Sequence, residues 1–266
     1  MAGMDHTTLK AALNWYLDHG VDEVLADLPV DHTAMPVIDR SGGDGESPVA
    51  APASVTPMPL LGTSDMVAQA AELAAACTTL DELRQAIQDF DGLAVKKTAT
   101  QIVFADGVPQ AKVMVVGEAP GADEDRLGKP FVGVSGQLLD KILACINLSR
   151  APEDSQQPVY ISNILNWRPP GNRTPTDQEV QIALPFIQKH IEIINPDFLI
   201  LSGGVAAKGL LNSAESISRL RGKFHDIPIG GKMVHAIATY HPSYLLRTPT
   251  QKRAVWQDML MLQERL

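Results

Sequence analysis

The stretch KVMVVGEAPGADEDRLGKPF, Lys112 to Phe131, decides the fold. Val113 to Val116 is an unbroken apolar run rich in β-branched residues, and Gly117 and then Pro120-Gly121 close it. Such a run reads as a short strand buried on both faces, as in a parallel sheet. The chain then turns sharply, presenting Glu118, several backbone amides and the acidic loop Asp123-Glu124-Asp125. Ligands of open α/β sheets bind outside the carboxyl ends of their strands. The site is therefore expected at this loop.

Downstream, strand and helix periodicities alternate. A helix over 135–147 carries Leu138, Leu139, Ile142, Leu143 and Ile146 on one face. A strand over 159–165 follows, and Thr176 caps a helix to about Ile194, predicted to kink or break at Pro185. A strand over 198–201, a short helix, a strand over 233–239 and a last helix over 250–264 complete the chain. Alternation of this kind predicts a three-layer α/β/α sandwich on a mainly parallel, four-stranded central sheet. Three strand ends carry unusual polar content: GEAPG at 117–121, Asn163 with RPPGNR at 168–173, and HPS at 241–243. In a parallel sheet these ends share one edge, which predicts a single site.

Upstream the character changes. Thr7 or Thr8 caps a first helix with the stripe Leu9, Leu13, Tyr16 and Leu17, stopping at Gly20. Residues 27–62 are rich in proline, glycine and small residues and read as a flexible linker. An alanine-rich helix begins at Ser64, and Thr79 to Glu82 has the form of a capping box before Leu80, Leu83, Ile87 and Phe90. The expected organisation is a helical segment (1–26), a linker (27–62) and a main domain (63–266).

The net charge of −9 belongs to the front of the chain. Residues 1–90 hold 14 acidic and 3 basic side chains, whereas the remainder holds 17 and 19. An acidic pI therefore does not exclude a polyanionic partner for the main domain. No apolar run approaches the roughly 20 residues that span a membrane, and no signal peptide is read at the N-terminus. Cys77 and Cys145 stand among apolar residues and are expected to be buried free thiols in a reducing cytoplasm. A monomer is expected.

GEAPGADED followed by KPFVGVSGQLLDKIL, then VYISNILNWRPPGNRTPT, then ATYHPSYLLRTPTQKRAVW, resemble in order the uracil-DNA glycosylase superfamily, and most of all its family 4. The likeness runs from about Phe90 to the C-terminus. It implies a monofunctional base-excision repair enzyme that binds uracil-containing DNA, extrudes the base and hydrolyses its N-glycosidic bond. Phe131 is then the aromatic face for the base. Asn163 reads its edge, accepting from uracil N3–H and donating to O4 with one amide. Cytosine offers the opposite pattern and would leave amide groups unpaired at about 1–3 kcal/mol each. His241 donates to the departing O2, an oxyanion-type contact worth roughly 3–4 kcal/mol. Gly117, Ala119, Pro120 and Gly121 are then substrate-binding, and backbone amides of the Glu118–Gly121 turn, other than that of Pro120, which has no N–H, are further donors. Ala119 stands where the best-known branch of the superfamily has an aspartate, as family 4 also has alanine. The water-activating or cation-stabilising carboxylate is left open between Glu118 and Glu124, with Asn172 orienting water or the Glu124 side chain. Arg168, Arg173, Ser243 and Arg247 are expected at phosphates, with Leu245 or Leu246 as a wedge. The N-terminal helix and acidic linker are candidates for recruiting a protein partner.

Family 4 also implies a 4Fe–4S cluster on four cysteines. The matching positions here are Phe90, Leu93, Trp167 and Ala183, none of them a thiol. Thiolates hold such clusters, so no cofactor is expected, and Phe90, Leu93 and Trp167 are expected to fill its place as an apolar plug. Two other readings stay open: a glycosylase for another deaminated base such as hypoxanthine or xanthine, and a non-catalytic module that binds damaged DNA.

Overall fold

A computed structural model describes residues 62–153 and 156–266. By contacts the chain divides after Pro57, and the description concerns the unit that follows. The N-terminal helix read at 1–26 and all but the last residue of the linker read at 27–62 lie outside the described residues, as does their expected partner.

Among the described residues the strands, in chain order, are β1 (Asp106–Gly107), β2 (Val113–Gly117), β3 (Leu148–Ser149), β4 (Gln157–Asn163), β5 (Phe198–Ser202), β6 (Phe224–Ile229) and β7 (Lys232–Thr239). β2 is buried throughout and pairs in parallel with β4 on one side and β5 on the other. β5 pairs in parallel with β7, so β4, β2, β5 and β7 form the expected parallel core. Three strands not foreseen enlarge it: β1 and β6 add antiparallel edges, and β3 pairs with β4. β1 and β3 are too short to leave a periodicity. β6 carries Pro228, which is tolerated at an edge where one N–H row is unpaired. Gly230 and Gly231, both with positive φ, form the two-residue turn from β6 into β7.

Alternation along the strands sorts the core into two faces. Met114, Val116, Leu199, Leu201, Ala236 and Ala238 join one apolar cluster with the helices Thr63–Ala76, Leu80–Asp89, Asp177–Ile194 and Gly204–Leu211. Val113, Val115, Val159, Ile161, Ile200 and Ile237 join the other with Val134–Ala144, Pro242–Arg247 and Lys252–Gln263. The result is the three-layer sandwich that the pattern predicts.

Local chemistry fixes the helix ends. Thr79 Oγ1 accepts from Glu82 N at 3.2 Å, while Glu82 accepts from Thr79 N at 3.1 Å. Thr176 and Glu179 repeat the box at 3.2 and 2.8 Å. The helix that follows runs eighteen residues and does not break at Pro185. An interior proline costs about 3 kcal/mol. The buried stripe Ile182, Ala183, Phe186, Ile187 and Ile191 offsets that cost, since each large side chain contributes about 1.5–3 kcal/mol. Cys77 is buried as expected, but Cys145 is exposed; it caps the C-terminus of helix Val134–Ala144, past the buried stripe.

One buried polar pair lies within the first cluster. Tyr160 Oη sits 2.9 Å from His190 Nε2, and the imidazole stacks on Phe104 with centroids 4.4 Å apart. Burial depresses the His190 pKa to about 3. A free histidine titrates near 6.5. Because the folded value is the lower one, the unfolded chain binds more protons below pH 6.5, and the neutral ring's contribution is lost as pH falls. The melting temperature is therefore expected to drop between pH 7 and pH 5. The drop should be shallower in a Tyr160→Phe, His190→Phe double variant, which removes both partners; an equally steep drop in that variant would refute the assignment.

Candidate active site

The carboxyl ends of β2, β4, β5 and β7 open into one cavity of about 490 Å³. β2 delivers Glu118 and the 119–121 turn, β4 delivers Asn163, and the segment after β7 delivers His241 and Ser243. Gly117 and Asn163 are register partners across β2 and β4. A Cβ on Gly117 would lie 2.3 Å from Asn163 Oδ1 and 2.5 Å from Phe131 Cζ. Glycine there is a condition for placing an amide beside an aromatic ring.

Phe131 is buried and adopts φ 53°, the left-handed region that non-glycine residues rarely occupy. Arg150 holds it there. Its Nη1 donates to Pro130 O at 2.8 Å and its Nη2 to Phe131 O at 2.9 Å. The guanidinium is anchored by Asp140 at 2.8 Å and Asp106 at 3.2 Å. Gly136 admits this turn, because a Cβ there would lie 1.9 Å from Phe131 O.

Glu124 and Asp125 of the acidic loop are buried, not solvated. Glu124 Oε1 accepts from Val132 N and Gly133 N, each at 2.9 Å, and Oε2 accepts from Gly121 N at 3.1 Å. This one carboxylate ties the 117–121 turn to the turn that carries Phe131. Asp125 accepts from Thr100 N and Thr100 Oγ1, each at 2.8 Å. Asp123 is exposed and pairs with Arg126. Glu118 lines the cavity, and burial raises its pKa against an opposing hydrogen bond from the Thr174 side chain.

His241 stacks on Phe131 with ring centroids 5.4 Å apart. Its Nδ1 accepts from Ser243 N at 3.2 Å and lies 2.8 Å from Ser243 Oγ. A backbone amide only donates, so Nδ1 is unprotonated and Nε2 carries the N–H. Burial, and next the charge of Arg247, push the His241 pKa down to about 4. The ring is thus a neutral donor near pH 7.

Ala119, Pro120, Gly121, Asn172, Arg173 and Arg247 also line the cavity. Asn172 Oδ1 accepts from Arg168 Nε at 2.7 Å, so its carbonyl turns to Arg168 and not to Glu124. Arg173 forms a two-pronged pair with Glu179 at 2.7 and 2.8 Å. Arg168 stands 4.0 Å from Asp125, outside the cavity lining. Of the two wedge candidates, Leu245 is fully buried in the second core and is not free to insert between bases; Leu246 is 44% exposed. Sequence reasoning missed Arg150, Thr174 and the Gly203-Gly204 pair, which also shape the site. The pair was visible after β5: Gly203 has φ 98°, and a Cβ there would press on His241 Cβ at 3.1 Å. Arg150 has no local signature.

A buried amide, a stacked aromatic and a neutral imidazole donor converge on one strand edge. Residues 104–260 match the model of the uracil DNA glycosylase superfamily, and the chain belongs to that superfamily. Within it the likeness is to proteins named type-4 uracil-DNA glycosylase. One from Pyrobaculum aerophilum is 36% identical over 68% of this chain and 92% of its own, and one from Archaeoglobus fulgidus is 37% identical over 70% and 92%. One from Thermotoga maritima is 40% identical over 60% and 80%.

The glycine constraints are testable by substitution. Gly136→Ala is expected to cost about 1–3 kcal/mol in unfolding free energy, since backbone must move. Gly117→Ala should cost less but shift the Asn163 side-chain amide resonances. A wild-type melt for Gly136→Ala, or unshifted Asn163 signals in Gly117→Ala, would contradict the geometry.

Proposed function

We propose that residues 63–266 form a monofunctional glycosylase that hydrolyses uracil from DNA and leaves an abasic site. The observation that carries this reading is the Asn163 amide beside the Phe131 ring, with the His241 imidazole stacked on that same ring. In this reading the flipped base lies against Phe131, and Asn163 pairs with N3–H and O4. As the N1–C1′ bond breaks, charge grows on O2 and His241 Nε2–H meets it. A neutral donor strengthens as that charge develops, which favours the transition state over the ground state. Water adds to C1′ and its proton passes to solvent. Glu118, desolvated and facing the cavity, is the carboxylate assigned to water or to the sugar cation. Glu124 shapes the pocket through its three amide contacts, and Asn172 presents its side chain with Arg168. Ser243, Arg247 and Arg173 are assigned to phosphates and Leu246 to the vacated stack. A DNA substrate supports a reaction in the compartment that holds the genome.

The test is release from labelled single-uracil oligonucleotides, single- and double-stranded. Wild type is expected to release uracil, with losses of about 10²–10³-fold in His241→Ala and comparable losses in Asn163→Ala. Hypoxanthine and xanthine substrates run beside it. Release of those bases alone would replace the substrate, and tight binding without any release would replace catalysis by recognition.

We infer further that the chain works without a 4Fe–4S cluster. The residues at the four positions do not fit one: Phe90, Leu93, Trp167 and Ala183 are all buried in the same apolar cluster, and Phe90 packs edge-on against Phe186 at 5.2 Å. Among the described residues no group of three or more His, Cys, Asp or Glu side chains could hold a metal. Iron and sulfide analysis of the purified chain should find neither in stoichiometric amount. Trp167→Ala should destabilise by about 3–5 kcal/mol, as for other emptied aromatic sites. Stoichiometric iron whose removal abolishes activity would overturn this.

A further inference from the structure

A second groove, of about 280 Å³ and almost wholly apolar, is lined by Leu138, Ile142, Leu245, Val255 and Trp256 together with Lys141 and Lys252. It lies between helices Val134–Ala144 and Lys252–Gln263. Its connection to the cavity is direct: Leu245 belongs to the short helix Pro242–Arg247, whose Ser243, Tyr244 and Arg247 line the other cavity. Trp256 is 43% exposed despite its size, and Leu246 leaves the same short helix into solvent.

The charge around the groove is one-sided. Lys252 and Arg253 stand four and three residues before Trp256 on one helix, so all three share a face. No ion pair among the described residues takes up Lys141, Lys252, Arg253 or Arg247. The neighbouring carboxylate of Asp140 is held by Arg150. An exposed indole flanked by unpaired cations is what a single strand of nucleic acid uses, a base on the ring and phosphates on the ammonium groups.

We propose that this groove is a second contact for the DNA strand, holding an unstacked flanking base on Trp256 and its phosphates on Lys141, Lys252 and Arg253. The proposal rests on the reading of the first cavity as a DNA site and extends that site along the strand. Continuity with Ser243 and Arg247 favours nucleic acid over an acidic amphipathic peptide, the other occupant such a groove suits.

The experiment compares the full chain with Trp256→Ala, Trp256→Phe, a Lys141→Glu, Lys252→Glu double variant, and Lys112→Glu as a control before β2, at the far end of that strand. Two substrates are used, one with a few nucleotides around the uracil and one of about 20, longer than a typical single-strand site. On the long substrate kcat/KM should fall about 10-fold in Trp256→Ala, in the range of a lost base stack, and should be largely retained in Trp256→Phe. On the short substrate it should not change. Anisotropy with a uracil-free single strand should show the same ranking, and the double variant, which removes two phosphate contacts, should flatten the salt dependence by roughly 1.4 units of slope. Equal losses on both substrates, no loss on either, or an acidic amphipathic peptide that binds the groove without displacing the strand would each overturn the proposal. If the wild type releases no uracil, the first reading fails, while the uracil-free anisotropy still decides this one.

Discussion

The contact on which the pocket rests is the pair of hydrogen bonds from Arg150 to the carbonyls of Pro130 and Phe131. A left-handed backbone at a non-glycine residue costs about 1–2 kcal/mol. Charge-assisted bonds of about 1.5–3 kcal/mol each offset it. Arg150 is in turn oriented by Asp106 of β1 and Asp140 of helix Val134–Ala144, and it directly follows β3. Two strands of two residues each thus acquire a purpose in the fold: they bring a guanidinium to the back of an aromatic wall. Glu124 performs the matching task from the other side, using its charge on three backbone amides.

Electrostatics then divides labour among groups that lie close together. Glu124 accepts three backbone N–H bonds. Glu118 has burial opposed by one hydroxyl partner, which raises its proton affinity. His241 has burial, a nearby guanidinium and an amide pointing at Nδ1, which together keep it neutral and fix its tautomer. The three groups lie close together but in three different environments, and it is the environment that separates their roles.

The parallel core, the two apolar faces and the convergence of three strand ends were legible in the sequence because each rests on a short-range pattern. β-branched runs marked the strands, capping boxes marked the helices, and polar residues after apolar runs marked the edge. What escaped depends on contacts distant in sequence. Nothing near Arg150 announces that it will reach Phe131, nineteen residues earlier in the chain. The choice between Leu245 and Leu246 turns on which way a six-residue helix faces. The local cost of Pro185 favours a break, and tertiary burial outweighs it. Cys145 was assigned to the interior by its apolar neighbours, although the helix ends there. The four positions from Phe90 to Ala183 are the converse case: separated in sequence, they were linked by a resemblance, and they share one apolar cluster.

The two ends of the sheet deserve a last comparison. At one end β1 offers only two residues, one of them Gly107 with positive φ. At the other, β6 exposes an outer edge interrupted by Pro228, with Asp226 and His235 paired beside it and Glu192 packed over the glycine turn. Neither edge gives an incoming strand a continuous row of donors and acceptors. A sheet whose central strands are so apolar would otherwise template its own growth into aggregates. These irregular borders limit edge-to-edge pairing of one folded sheet with another.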